Sequence, residues 1–296
     1  MPPDPPRRET AQAATRPLAG IHQLSDKDFA TISRLVEAQT GIHLSQSKKD
    51  LVISRLSRRL RALGMRDFSQ YADLLSSGRA PQELLEMTNQ ITTNKTDFFR
   101  EPHHFEFLRA QVLPAVEAGT PAHGPKRLRA WSAGCSSGEE AYSLGMTLSE
   151  YWAGRPGWDW KILATDLDTN MLRAASRGLY RPEQVAKVSR NLLLKYFLRR
   201  RQDGGYAYEV KPSLRRMITF GKFNLIHAGY PHRTPLDFVF CRNVLIYFDG
   251  AQKQAIIDKL TTSLRPGGWL FLGHSESMLA TNRRLVCVGP TVYRRP

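Results

Sequence analysis

Residues 131–145 read WSAGCSSGEEAYSLG, a glycine-bearing loop between a short apolar run and a helix that opens on two glutamates. Loops of this form usually cradle phosphate on the helix N-terminus. Two carboxylates there would repel a pyrophosphate. The spacing, G-x-x-x-G from Gly134 to Gly138, is neither the G-x-G-x-x-G of dinucleotide folds nor the Gly-Lys-Ser/Thr of a P-loop. Glu139 reads as an acid complementing the helix dipole. Glu140, set beside unpaired amides, suits a zwitterion: the amides take a carboxylate and the glutamate takes an ammonium. S-adenosylmethionine has both groups on its methionyl end, and no phosphate.

The surroundings place this loop in an α/β domain. RLRAWSAG, DWKILATDLD, RMITFGKFNL, LDFVFCRNVLIYF and GGWLFLGHSES are short apolar runs. Helical stretches such as EEAYSLGMTLSEYW, DTNMLRAASRGL and GAQKQAIIDKLTTSLR separate several of them. Such alternation predicts a mostly parallel sheet covered on both faces, with ligands outside the carboxyl ends of its strands. The second strand ends in ATDLD, where Asp166 can bond both ribose hydroxyls of an adenosine and Asp168 caps the next helix. A glycine loop followed by an acid also describes NAD folds. The glutamate at the loop decides for S-adenosylmethionine.

Ahead of this domain, residues 21–96 read as short amphipathic helices forming a small all-α domain. Residues 1–20, rich in proline, alanine and charge, read as a disordered leader. Residues 189–222 break the alternation, and a turn at Gly204-Gly205 predicts a hairpin, read as an inserted β-subdomain in the 97–296 unit. No run approaches the roughly 18 apolar residues of a membrane span, and the N-terminus lacks a secretory core segment. Three widely spaced cysteines suit a reducing, cytoplasmic setting. The formal charge of +16 calls for something acidic as partner.

TTNKTDFFREPHHFEFL, WSAGCSSGEEAYS, ATDLDTNMLRAA, FNLI, FCRNVLIYFD and GHSES together resemble the chemotaxis receptor methyltransferases, the CheR family, from about Leu24 to Tyr293. The resemblance implies a class I S-adenosylmethionine-dependent methyltransferase fold, Rossmann-like, with an N-terminal all-α domain and an inserted small β-subdomain. It implies methyl transfer to glutamate side chains of chemoreceptors, giving γ-methyl esters. Matching positions assign cofactor contacts to Asn94, Thr96, Arg100, Glu140, Asp166, Asn224, Leu225, Asn243 and Val244. Arg100 and Tyr247 would lie nearest the methyl group and carry catalysis. Lys95 departs from the family, which is often apolar at that position. The implied partner is the acidic helical cytoplasmic region of a receptor, with a receptor C-terminal tail at the β-subdomain in some members. A monomer without metal is expected.

The chemistry agrees. A glutamate carboxylate is already an anionic nucleophile at neutral pH, so no general base is required. His103 and His104, adjacent and expected to face different ways with no acid at ligand spacing, read as packing residues; His274 reads as a supporting group and Cys135 as a small loop residue. Lys48, Arg55, Arg59 and Arg66 fall within a helical stripe about 40° wide, widened by Arg58 and Arg61. This stripe is read as the substrate-binding surface, independent of cofactor affinity. The competing readings are a nucleic-acid methyltransferase and a non-catalytic S-adenosylmethionine-sensing module that binds receptors. The first would place a proline-aromatic turn where CRNVLIYF stands, so a nucleic-acid partner is not expected. The second fits poorly with Arg100, Glu140, Asp166 and Tyr247 all present.

Overall fold

A computed structural model describes residues 23–120, 125–202, 204–227, 229–230, 232, 234–279 and 284–296. The leader expected over 1–20 lies outside these residues. Helix α1 (Asp26–Thr40) opens on Ser25, whose hydroxyl accepts the Asp28 N–H at 3.1 Å, and stops at Gly41 in the left-handed conformation. A 3₁₀ turn at Gln46–Lys48 leads into α2 (Lys49–Ala62), followed by α3 (Phe68–Ser76) and α4 (Pro81–Ile91). These helices close around Ile32, Val36, Val52, Leu56, Tyr71 and Met87, a core of their own.

A connecting helix follows: α5 (Pro102–Phe107), a π turn over Leu108–Val112, then α6 (Leu113–Ala118). The π turn sits just before Pro114, which has no N–H to continue the regular ladder. Strands and helices then alternate: β1 (Arg127–Ala133), α7 (Glu139–Tyr151), β2 (Asp159–Asp166) and α8 (Thr169–Arg177). Next come β3 (Leu179–Tyr180), α9 (Arg190–Tyr196), β4 (Phe197–Gln202), β5 (Gly205–Val210) and α10 (Pro212–Arg215). The chain ends with β6 (Ile218–Lys222), β7 (Leu236–Cys241), α11 (Gly250–Ser263), β8 (Leu264–Leu272), β9 (Val286–Gly289) and β10 (Val292–Arg294).

The main sheet has seven strands in the order β6-β2-β1-β7-β8-β10-β9. Its first five are parallel, and β10 and β9 add an antiparallel edge. That edge was not anticipated, because β9 and β10 have only four and three residues. All six residues of β7 are buried, as expected where a central parallel strand is covered on both faces. The order reverses between β1 and β7, so the loops leaving these neighbours diverge and open a crevice at the carboxyl end of the sheet.

The limits expected for the β-insertion change. A separate sheet, β3-β5-β4, holds the hairpin, with Gln202 paired to Gly205 at its turn. Residues 218–222, expected within the insertion, form β6 and pair in parallel with β2 from Ile162↔Ile218 to Asp166↔Lys222. Leu179–Tyr180, expected outside it, joins the small sheet. Pairing decides the boundary: the β6 backbone completes its hydrogen bonds on β2.

Candidate functional site

One cleft gathers the residues singled out from the sequence. Asn94, Thr96, Arg100, Glu140, Asp166, Asn224, Leu225, Asn243, Val244 and Tyr247 all line it, around roughly 980 Å³ of space including its open mouth. Its walls come from the loops after β1, β2, β6 and β7, from the 92–100 segment, and from Thr40 and Ile42 of the helical domain.

The glycine loop is held tightly. A Cβ on Gly134, which stands at φ +85°, would fall 2.3 Å from a Val244 methyl, so only glycine lets the loops after β1 and β7 approach. Ser136 takes φ 49° and donates its hydroxyl to the Asn94 carbonyl at 3.1 Å. Asp166 accepts the N–H groups of Ser136 at 2.8 Å and of Asp168 at 2.9 Å, one on each oxygen. Its carboxylate thus fixes the loop while lining the cleft, and a carboxylate oxygen can accept more than one hydrogen bond. Burial raises its pKa, against the lowering effect of those two N–H groups. Asp168 takes the capping role: one oxygen accepts the Asn170 and Met171 N–H groups, the other accepts from Thr92 Oγ1 at 2.9 Å and Asn94 Nδ2 at 2.7 Å.

Glu139 and Glu140 separate by environment. Glu139 is buried, accepts the Ser137 hydroxyl at 2.7 Å and does not line the cleft. Glu140 lines it, accepts the Ser132 hydroxyl at 2.7 Å and lies 3.4 Å from the Arg242 guanidinium. Burial raises the Glu140 pKa, and Arg242 and Ser132 partly offset this. Arg242 also faces Glu101 at 3.5 Å, donates to the Arg100 carbonyl, and sits over the rings of Phe105 and Phe240 at 5.8 and 5.7 Å. Glu101 and Glu140 thus share one guanidinium, Arg100 also bears on Glu140 from the cleft lining, and Arg242 Nη1 is buried without a hydrogen-bond partner. Ser136, Asp166 and Asn94 give the cleft polar lining, and Phe223, Leu225, Val244 and Phe248 apolar lining. These residues fit an adenosyl group ending in an ammonium and a carboxylate.

Two families of sequence model match the chain: one described as "CheR methyltransferase, SAM binding domain" over residues 94–294, and one as "CheR methyltransferase, all-alpha domain" over 27–92. The chain belongs to the CheR methyltransferase family. The chemotaxis protein methyltransferase of Escherichia coli is 40% identical over 270 residues, 91% of this chain and 91% of that protein. That of Salmonella typhimurium is 38% identical over 91% of this chain and 90% of its own length, and that of Borreliella burgdorferi 34% over 92% and 95%. The protein is accordingly an S-adenosylmethionine-dependent methyltransferase of chemotaxis.

Other expectations fare differently. Arg55 and Arg59 are not part of an open basic stripe. Arg55 turns its guanidinium onto the end of α4, donating to the carbonyls of Ile91 and Thr92 and, at 2.9 Å, to Thr93 Oγ1. Arg59 forks onto buried Glu83, which also accepts the Tyr71 hydroxyl at 2.8 Å. Helix α2 ends at Ala62, so Arg66 lies beyond it and Lys48 in the turn before it. Lys48, Arg58, Arg61 and Arg66 are the exposed cations of this stretch. The helical domain is also tied to the cleft through Asn224 Nδ2, which donates to the Gln39 carbonyl at 2.9 Å, and to α8 through Asn89 Nδ2, which donates to Thr169 Oγ1 at 3.2 Å.

His103 and His104 are ring neighbours at 4.2 Å, and Glu101 joins them with ligand atoms all within 4.8 Å. The expectation that no acid stands at ligand spacing fails for Glu101, whose Oε2 lies 3.4 Å from His104 Nδ1. His104 is fully buried, its Nε2 pairs with Thr291 Oγ1 at 2.8 Å, and burial pushes its pKa down to about 4. It packs as a neutral ring. The sequence reading missed Arg242, Glu101 and Glu276; an arginine and an asparagine interrupting FCRNVLIYF was the available signal.

Proposed function

We propose that the protein methylates glutamate side chains of chemoreceptors, producing glutamate γ-methyl esters. Bound S-adenosylmethionine supplies a sulfonium-activated methyl group, which a receptor carboxylate accepts as the carbon–sulfur bond breaks. Glu140 receives the ammonium of the methionyl end, Asp166 the ribose hydroxyls, and Asn94, Thr96, Asn224, Leu225, Asn243 and Val244 the rest of the cofactor. Arg100 reaches the incoming carboxylate and Tyr247 the sulfonium, at the same end of the cleft. Their task is in-line placement rather than proton transfer, since the nucleophile is already ionised.

The observation that carries this reading is Glu140, a cleft-lining carboxylate in the first turn of the helix after the glycine loop, a partner for an ammonium where a phosphate would be repelled. For the receptor, the exposed cations Lys48, Arg58, Arg61 and Arg66 suit an acidic helix, while Arg55 and Arg59 are engaged inside the helical domain. No helix among the described residues is long and apolar enough to cross a membrane, and the receptor's cytoplasmic region is the natural meeting place. The assay is transfer of labelled methyl from S-adenosylmethionine to purified receptor cytoplasmic fragments, followed by mild base. Label released as methanol marks an ester. Label that stays on receptor, or goes to RNA instead, defeats the proposal.

A further inference from the structure

GHSES is the motif for which the site above has no use. Its glutamate, Glu276, is 3% exposed and lies beneath the turn that leaves β7. Glu276 Oε2 accepts the N–H groups of Asn243 at 2.9 Å and Gly273 at 2.6 Å, and Oε1 accepts that of Leu245 at 2.7 Å. Three backbone donors from two different loops therefore converge on one carboxylate. The chain needs it there. Past the end of β7 the N–H groups of Asn243 and Leu245 no longer meet a neighbouring strand, and a buried donor left unpaired is costly.

The turn is also held in an unfavourable shape. Asn243 stands at φ 59°, a left-handed conformation that costs a non-glycine residue energy and persists only where its surroundings impose it. Gly273 makes room for the arrangement: a Cβ there would lie 2.6 Å from Asn243 Nδ2, 2.7 Å from its N and 2.7 Å from Glu276 Oε2. The turn so fixed carries Asn243 and Val244 into the cleft, seats a Val244 methyl against Gly134, and leads directly into Tyr247.

We propose that Glu276 is a positioning residue for methyl transfer: its carboxylate sets the Asn243–Tyr247 turn from behind, without touching cofactor or receptor. This rests on the reading of Asn243, Val244 and Tyr247 given under the proposed function. Glu276→Gln replaces one acceptor oxygen with an amide that faces an N–H group. Glu276→Asp keeps the charge but ends one carbon short of spanning both loops.

The test is cofactor affinity by calorimetry without receptor, kcat with receptor, and thermal unfolding, for both variants. Asp237→Asn serves as comparison, since Asp237 is an equally buried carboxylate that accepts the Arg129 N–H at 2.6 Å and pairs with Arg265, away from the cleft. Both Glu276 variants should bind cofactor roughly tenfold more weakly and lose kcat, as expected for lost charge-assisted bonds. Asp237→Asn should lower the melting temperature with affinity unchanged. If Glu276→Gln does not fold, Glu276→Asp gives the answer, because it removes reach without removing charge. Wild-type affinity and kcat in a folded Glu276 variant overturn the proposal, as does an equal loss in Asp237→Asn. Asp166→Asn, measured alongside, separates the two readings: wild-type affinity in that variant would sink the site assignment itself, whatever Glu276 does.

Discussion

Replacing Glu140 with glutamine tests why carboxylates occupy a loop built like a phosphate cradle. In the wild type, Glu101 and Glu140 face Arg242, Arg100 also bears on Glu140, and His104, with its pKa near 4, adds no charge at neutral pH. Glu140→Gln removes one negative charge from this group. An ammonium at about 4 Å from the carboxylate gains about 4 kcal/mol at an effective dielectric of about 20. Part of this is offset by the burial that already raises the Glu140 pKa. A net loss of about 1.5–3 kcal/mol follows, the range for hydrogen bonds to charged groups, or roughly 10–150-fold in Kd. Titration calorimetry at neutral pH measures it.

The pH dependence adds a second reading of the same group. Because the folded-state pKa of Glu140 is raised, protonation begins above the ordinary carboxylate range, and wild-type affinity falls as pH drops through it, by at most about tenfold per pH unit for one proton. Stability moves the other way for this group, since a raised carboxylate pKa means the folded state gains as pH falls. Weaker binding on acidification is therefore not an unfolding effect of Glu140. Glu139→Gln should leave affinity within about twofold, as that carboxylate faces Ser137 rather than the cleft. A change below about threefold in Glu140→Gln, or a larger effect in Glu139→Gln, refutes the argument.

Arg55→Gln should weaken cofactor binding in the absence of receptor, because Arg55 secures the Ile91–Thr93 backbone just ahead of Asn94 and Thr96; an effect confined to the receptor KM would return Arg55 to the receptor surface. Charge reversal of Arg58 and Arg61 should raise the receptor KM, leave cofactor affinity alone, and blunt the salt dependence of the rate, since exposed charges act within a Debye length of about 10 Å at 0.1 M salt; equal salt sensitivity in variant and wild type would make them an ordinary solvated face. His104, buried neutral with a depressed pKa, contributes stability that is complete above its ordinary value of 6.5 and is lost as pH falls through about 4. His104→Gln should flatten that acid limb in thermal unfolding between pH 6.5 and 4, and an unchanged limb would assign it to other groups.

By itself the sequence determined the alternation of strand and helix, the glycine loop and the acid that ends β2, because these depend on periodicity and on residues near one another along the chain. Asp168 as a cap and Glu140 rather than Glu139 in the cleft were legible in this way. Which groups face one another across the cleft was not. Arg242 comes from the end of β7, Glu101 from a left-handed corner 141 residues earlier, and Glu140 from the first turn of α7; the parallel pairing of β1 with β7 brings Arg242 to Glu140, and the packing of the segment before α5 adds Glu101. The basic stripe shows the same limit. On a helical wheel Arg55 and Arg59 share a face with Lys48 and Arg66, but a wheel does not show that α4 packs there, offering carbonyls and a buried glutamate that satisfy both guanidinium groups. Periodicity reports which way a side chain leaves its own helix. What waits on that side is decided by packing.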